Sequence, residues 1–130
     1  MSVELEMLVW VSTLILFMWV PYVLSGMVND GLIATFTWQG DEKQRSIWAA
    51  RAKRAHYNAI ENLIPFAAIV IVAHLAEISN DATASAATAY FWLRAIYYVF
   101  YTVGISYIRT PAFALSWLAQ LCIVYQIISH

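Results

Sequence analysis

Charge is scarce in this chain. Of 130 residues, 12% are Asp, Glu, Lys or Arg and 62% are hydrophobic, whereas soluble domains run at about 25% charged and 45–50% apolar. That shortage excludes an ordinary water-soluble domain and makes the lipid bilayer the solvent. A net charge of −1 excludes the basic surface of a nucleic-acid binder. Cysteine occurs once, as Cys122, so no intrachain disulfide forms. Cys122 falls in the last apolar run and reads as packing. The three histidines and the cysteine lack ligand spacing, which leaves no metal site. There is no Gly-rich phosphate loop and no nucleophile elbow. The N-terminal MSVELEM carries Glu4 and Glu6 but no early cation, so it does not read as a secretory signal. No internal repeat or low-complexity tract breaks the chain.

What remains is long apolar runs. They predict an all-α membrane protein: a single four-transmembrane-helix domain over 1–130, with spans at about 7–28, 49–77, 84–108 and 112–128. Pro21 and Gly26 lie near the far end of the first span. The segment after it, through Arg45 and Ser46, reads as a loop that touches the membrane interface through Trp38 and Trp48. The second apolar run, Leu63 to Ala76, is too short to cross alone and must extend backward through Asn62, Glu61 and Asn58. ISNDATAS reads as a tight polar turn. In IRTP, Pro111 ends the third span and suits the first turn of the fourth.

Five of the seven basic residues, Lys43, Arg45, Arg51, Lys53 and Arg54, fall between spans one and two. Arg109 falls between spans three and four, and the turn between spans two and three carries no cation. The positive-inside rule then puts both cation-bearing loops in the cytoplasm and both termini outside.

The second helix concentrates the chemistry. At about 100° per residue, Arg51, Arg54, Asn58, Glu61 and Pro65 share an arc of roughly 80°, with Asn62 at its edge. Charge at membrane depth costs several kcal/mol, so such groups face a bundle interior, a partner or water. Cations at a helix start also oppose the macrodipole; positive-inside topology or a bound anion outweighs that. One reading pairs Arg54 with Glu61 or Glu42 and makes the asparagines interhelical glue. The other makes Arg54, Asn58 and Glu61 a functional set. Arg51 and Lys53 taken alone are topology anchors. His56 is one residue off this face, and His74 at the far end is structural.

The third helix carries a matching set: Arg94, Tyr97 or Tyr98, and Tyr101 recur at three- and four-residue steps and share a face. Arg94 is too deep to snorkel and needs a partner, with Glu61 the nearest candidate at matching depth. Arg109, followed by Thr110, is placed at the end of this helix, where it either complements the helix C-terminus or serves chemistry.

These residues resemble a known signature. RAKRAHYNAIENLIPF matches R-A-x-x-N-x-x-E followed by P-F, met by Arg54, Ala55, Asn58, Glu61, Pro65 and Phe66. R-x-x-[YH]-x-x-x-Y followed by an Arg-Ser-like pair is met by Arg94, Tyr97, Tyr101, Arg109 and Thr110. Both motifs resemble those of the membrane-associated proteins in eicosanoid and glutathione metabolism, the MAPEG superfamily, and the resemblance covers essentially the whole chain. It implies a homotrimer of four-helix subunits that binds glutathione as co-substrate between neighbouring subunits, near the cytoplasmic face. Arg54, Asn58, Glu61, Tyr97 and Tyr101 would hold the tripeptide, joined by Arg51 and Arg94, and Arg109 would face its sulfur, with Tyr101 or Thr110 as hydrogen-bond donor. The second substrate would be a hydrophobic electrophile or hydroperoxide arriving through the bilayer. Two functions stay open: a glutathione transferase or peroxidase, and a non-catalytic lipid-binding scaffold of the same fold.

Overall fold

The computed structural model describes residues 1–36 and 46–129. Trp38, Glu42, Lys43 and Arg45 lie outside them. Among the described residues, six helices follow in order: α1 Val3–Phe17, α2 Trp19–Asp30, α3 Leu32–Thr35, α4 Ile47–Leu75, α5 Asp81–Val103 and α6 Ser106–Ile128.

Helices α1 and α2 form one apolar stretch broken at Met18. The cause is Pro21, which has no N–H to donate and whose ring crowds the carbonyl of Phe17, four residues back. Met18 N–H turns instead to Ile15 O at 3.2 Å. The Met18 carbonyl accepts from Tyr98 Oη at 3.0 Å, so α5 satisfies the break. Among the described residues, three stretches are long and apolar enough to cross a membrane: Val3–Asp30, Ile47–Leu75 and Tyr107–Ile128. Helix α5 is as long as α6 but less apolar, because it is the inner helix. It packs on α1, α4 and α6 and buries Thr83, Ala86, Ala87, Tyr90, Arg94 and Tyr97.

Close packing depends on small residues. Ala49, Ala52, Ala55, Ala59 and Ala73 are all buried on one face of α4, which lets neighbouring backbones approach as membrane helices do. The main core joins Val11, Phe66, Val70, Ala86, Ala87, Tyr90, Ala119 and Ile123. Large apolar side chains such as Leu16, Phe17, Ile64, Trp92, Trp117 and Leu118 point outward. Apolar groups therefore surround a more polar interior, the arrangement expected when lipid is the solvent.

Boundaries differ from the sequence reading in several places: the first helix starts at Val3 rather than 7, α2 runs on to Asp30 and α3 lies in the segment read as a loop, and three further differences have a clear local cause. The polar turn is shorter than ISNDATAS, because Asn80 and Thr83 form a reciprocal capping box that starts α5 at Asp81. The third helix ends at Val103, not 108, because Gly104 takes a left-handed φ of 88° and its N–H closes on Phe100 O and Tyr101 O. The last helix consequently begins at Ser106, and Pro111 lies inside it. Arg109 therefore sits near the N-terminus of α6 and cannot complement the C-terminus of α5.

At the opposite end of the bundle, Glu4 is 2% exposed and pins the N-terminus. Its carboxylate accepts from Ser79 Oγ at 3.1 Å and from Thr83 Oγ1. Glu4→Leu leaves those hydroxyls short of an acceptor, and a loss of about 1–3 kcal/mol is expected. It should register as a lower unfolding midpoint in detergent and faster amide exchange at the start of α1.

Candidate functional site

Helices α4, α5 and α6 bring the polar side chains together at two levels. The first is a cavity of about 170 Å³ lined by Arg51, Arg54, Tyr101, Gly104, Ile105 and Arg109. Three guanidiniums converge there, and no carboxylate is among the described residues that line it. Arg109 stacks its guanidinium over the Tyr101 ring, 5.0 Å from the centroid. Its place in the first turns of α6 adds the partial positive charge of a helix N-terminus.

Gly104 shapes this cavity in two ways. Its φ of 88° suits glycine. A Cβ built on it would also lie 2.5 Å from Arg51 Nη1 and 2.8 Å from Arg51 Cζ. Arg51 thus lies directly on the backbone that ends α5, a position that topology alone does not explain. In Gly104→Ala the left-handed strain costs about 1–2 kcal/mol, and Arg51 must also move. The expected result is a lower unfolding midpoint together with weaker binding of anionic ligands at this cavity.

The second level lies deeper. Arg94 is 2% exposed, and its Nη2 donates to Asn58 Oδ1 at 2.6 Å. Its Cζ stands 4.5 Å from the Tyr97 centroid. Its Nε and Nη1 are buried without a hydrogen-bond partner, which leaves two donors for a ligand. The expected Arg94–Glu61 pairing does not form. Asn58 takes the bond, because the register of α4 on α5 sets Asn58 opposite Arg94, while Glu61 turns to the exposed face of α4 beside Arg54 and Tyr57. The choice between Tyr97 and Tyr98 resolves likewise. Tyr97 faces Arg94, and Tyr98 goes to the Met18 carbonyl.

The two levels connect through Tyr97 and Tyr101, whose ring centroids are 5.5 Å apart. Arg51, Arg54, Tyr101 and Arg109 are therefore assembled in one cavity, Asn58, Arg94 and Tyr97 adjoin it, and Glu61 joins neither. Sequence reasoning missed Gly104, and it offered Asn62 as interhelical glue without naming the partners, Tyr90 and Gln120, that make it a third polar rung. In that rung Asn62 Oδ1 accepts from Tyr90 Oη at 2.6 Å and from Gln120 Nε2 at 3.2 Å. The available signals were Asn62 one turn beyond Asn58, and a lone amide in an apolar last helix. His56, buried and off the site face, bonds through Nδ1 to Tyr22 Oη at 2.7 Å.

A helical bundle with an apolar exterior and a buried Arg94 beside Tyr97 has the character of a membrane protein with polar groups inside it. Comparison with protein families places it further: the MAPEG family model matches residues 7–129. The chain belongs to the MAPEG family, and its three apolar stretches fit a multi-pass integral membrane protein. Comparison with curated proteins and with solved structures finds no match.

Proposed function

We propose that this protein is a membrane-bound glutathione transferase or peroxidase. The observation that carries the proposal is the convergence of Arg51, Arg54 and Arg109 on one cavity beside Tyr101. Glutathione brings two carboxylates, an ammonium and a thiol. Guanidiniums suit the carboxylates through two-pronged hydrogen bonds. Asn58 and Arg94 offer amide and guanidinium contacts one level deeper. The thiol titrates near 8.5 in water, and only its thiolate is a strong nucleophile. A guanidinium beside the sulfur favours the charged form, and Arg109 is the residue assigned to it, with Tyr101 as donor. In conjugation the thiolate forms a bond from sulfur to an electrophilic carbon as the leaving group departs or an epoxide opens. In peroxide reduction the thiolate sulfur attacks the hydroperoxide's terminal oxygen, the O–O bond breaks, the alkoxide leaves and is protonated to the alcohol, and a second glutathione thiol condenses with the resulting sulfenic acid to give glutathione disulfide and water.

Four transmembrane helices, with α5 crossing inside the bundle, complete this reading, with the cation-bearing end cytoplasmic and both termini outside. The exposed face of α4 supports a homotrimer. Arg54, Tyr57 and Glu61 are exposed there, and ionisable groups at membrane depth need protein cover. A neighbouring copy supplies it, and Glu61 then meets the ammonium of glutathione or orients an arginine. A second reading, a non-catalytic lipid binder, is favoured by the wholly apolar groove of about 230 Å³ formed by Ala68, Ile69, Val72, Val124, Ile127 and Ile128.

Titration of the detergent-purified protein with glutathione, followed by ultraviolet thiolate absorbance, separates the two. A saturable thiolate band supports the enzyme. No binding at millimolar glutathione removes it in favour of the lipid binder.

A further inference from the structure

The helix that carries Arg109 is tied to α4 at a point remote from the cavity. Gln120 is 6% exposed and lies among apolar neighbours, Ala119 and Ile123, in the main core. A buried amide inside a bilayer is costly unless it is hydrogen-bonded, and Gln120 meets that need by donating Nε2 to Asn62 Oδ1 at 3.2 Å. Ile123 aside, the other buried side chains of α6 are small: Ala112, Ser116 and Ala119. Ser116 gives its hydroxyl to its own helix, at Phe113 O, 2.8 Å away. Small residues permit close approach but do little to define how far a helix is rotated or slid. A directional hydrogen bond does define it.

Gln120 also stands on the face of α6 that carries Arg109. Three turns, about 16 Å, separate them, and the two directions agree within roughly 20°. Fixing the rotation of α6 at Gln120 therefore fixes where the Arg109 guanidinium points. The other donor to Asn62 Oδ1 is Tyr90, on α5, at 2.6 Å. Tyr90 lies one turn from Arg94, and its ring packs on Phe66 with centroids 3.9 Å apart. One asparagine oxygen is thus shared between the helix of Arg109 and the helix of Arg94.

We propose that Gln120, acting through Asn62, is a positioning residue for Arg109. It sets the rotation and register of α6 so that the guanidinium stands over Tyr101, where the sulfur would be charged. This inference rests on the glutathione reading above.

The test compares Gln120→Met, which keeps length and volume but removes the amide, with Tyr90→Phe, which removes only the other donor to Asn62. Glutathione affinity and thiolate absorbance per bound glutathione are measured on the full-length chain in detergent. In Gln120→Met the dissociation constant should stay within about two-fold, and thiolate per bound glutathione should fall about five-fold or more, the scale of one lost hydrogen bond. In Tyr90→Phe the thiolate yield should be unchanged. Gln120→Asn, one methylene too short to reach, should repeat the loss and serves if the methionine variant does not fold. An unaltered thiolate yield in Gln120→Met, with a normal signal from the unmutated protein, overturns the positioning role alone. Equal losses of binding and yield in both variants also overturn it, because a merely structural contact behaves that way. Absence of glutathione binding by the unmutated protein overturns the transferase reading first, and the positioning role with it.

Discussion

Arg109→Ala is expected to remove the thiolate band of bound glutathione while glutathione stays bound. The cavity divides the work. Arg51 and Arg54 come from α4, and Arg109 comes from the first turns of α6. Arg109 is held over the Tyr101 ring at 5.0 Å rather than by a carboxylate, so its charge is not neutralised by an ion pair in that contact. One cation near the sulfur lowers a thiol by one to two pKa units, and each unit corresponds to about 1.4 kcal/mol. Without Arg109 the thiol returns toward its solution value of about 8.5, and thiolate at pH 7 drops about ten-fold or more. Arg109→Lys should recover part of the signal, since the charge remains but the planar fork that stacks on Tyr101 does not. Arg54→Ala should instead lose binding and thiolate together. Ultraviolet difference spectra and calorimetric titration of the three variants check this. A full thiolate band in Arg109→Ala would reassign the sulfur to another cation.

Asn58→Leu is expected to be among the most destabilising single changes in the chain. Arg94 is buried, and the hydrogen bond it makes is the one to Asn58 Oδ1 at 2.6 Å. Its other two donor nitrogens are already buried without partners. Removing the acceptor leaves a desolvated guanidinium beside the Tyr97 ring with no hydrogen-bond acceptor among the described residues. Leaving a buried charged donor without its acceptor costs about 3 kcal/mol. The double variant Asn58→Leu with Arg94→Met should unfold at a higher temperature than Asn58→Leu alone, because the orphaned charge is then gone. Thermal unfolding in detergent over the four proteins of this cycle gives the coupling directly. If the double variant is no more stable than the single one, Arg94 has found a partner other than Asn58.

Much of this molecule was readable along one dimension. Hydropathy and the shortage of charge set the solvent. The helical repeat collected Arg54, Asn58 and Glu61 on one side of α4, and Arg94, Tyr97 and Tyr101 on one side of α5. The motif spacing carried the family, which the match over residues 7–129 shows. Such features depend on the period within a single helix, and the sequence states that period outright.

The tertiary structure decided what depends on two helices at once. Whether Arg94 meets Asn58 or Glu61 is a matter of axial register between α4 and α5, where Ala55 packs in one cluster with Tyr97. Arg109 belongs to α6 because Gly104, not Pro111, ends the preceding helix. A left-handed glycine stops a helix outright, whereas a proline near a helix start is tolerated within it. The second demand on Gly104 comes from Arg51, far away in sequence, whose guanidinium occupies the space a Cβ would need. The Asn62–Gln120 bond likewise joins residues from the second and last long helices. Spacing within either helix carries no information about it, since rotation and sliding between helices are fixed only when side chains pack.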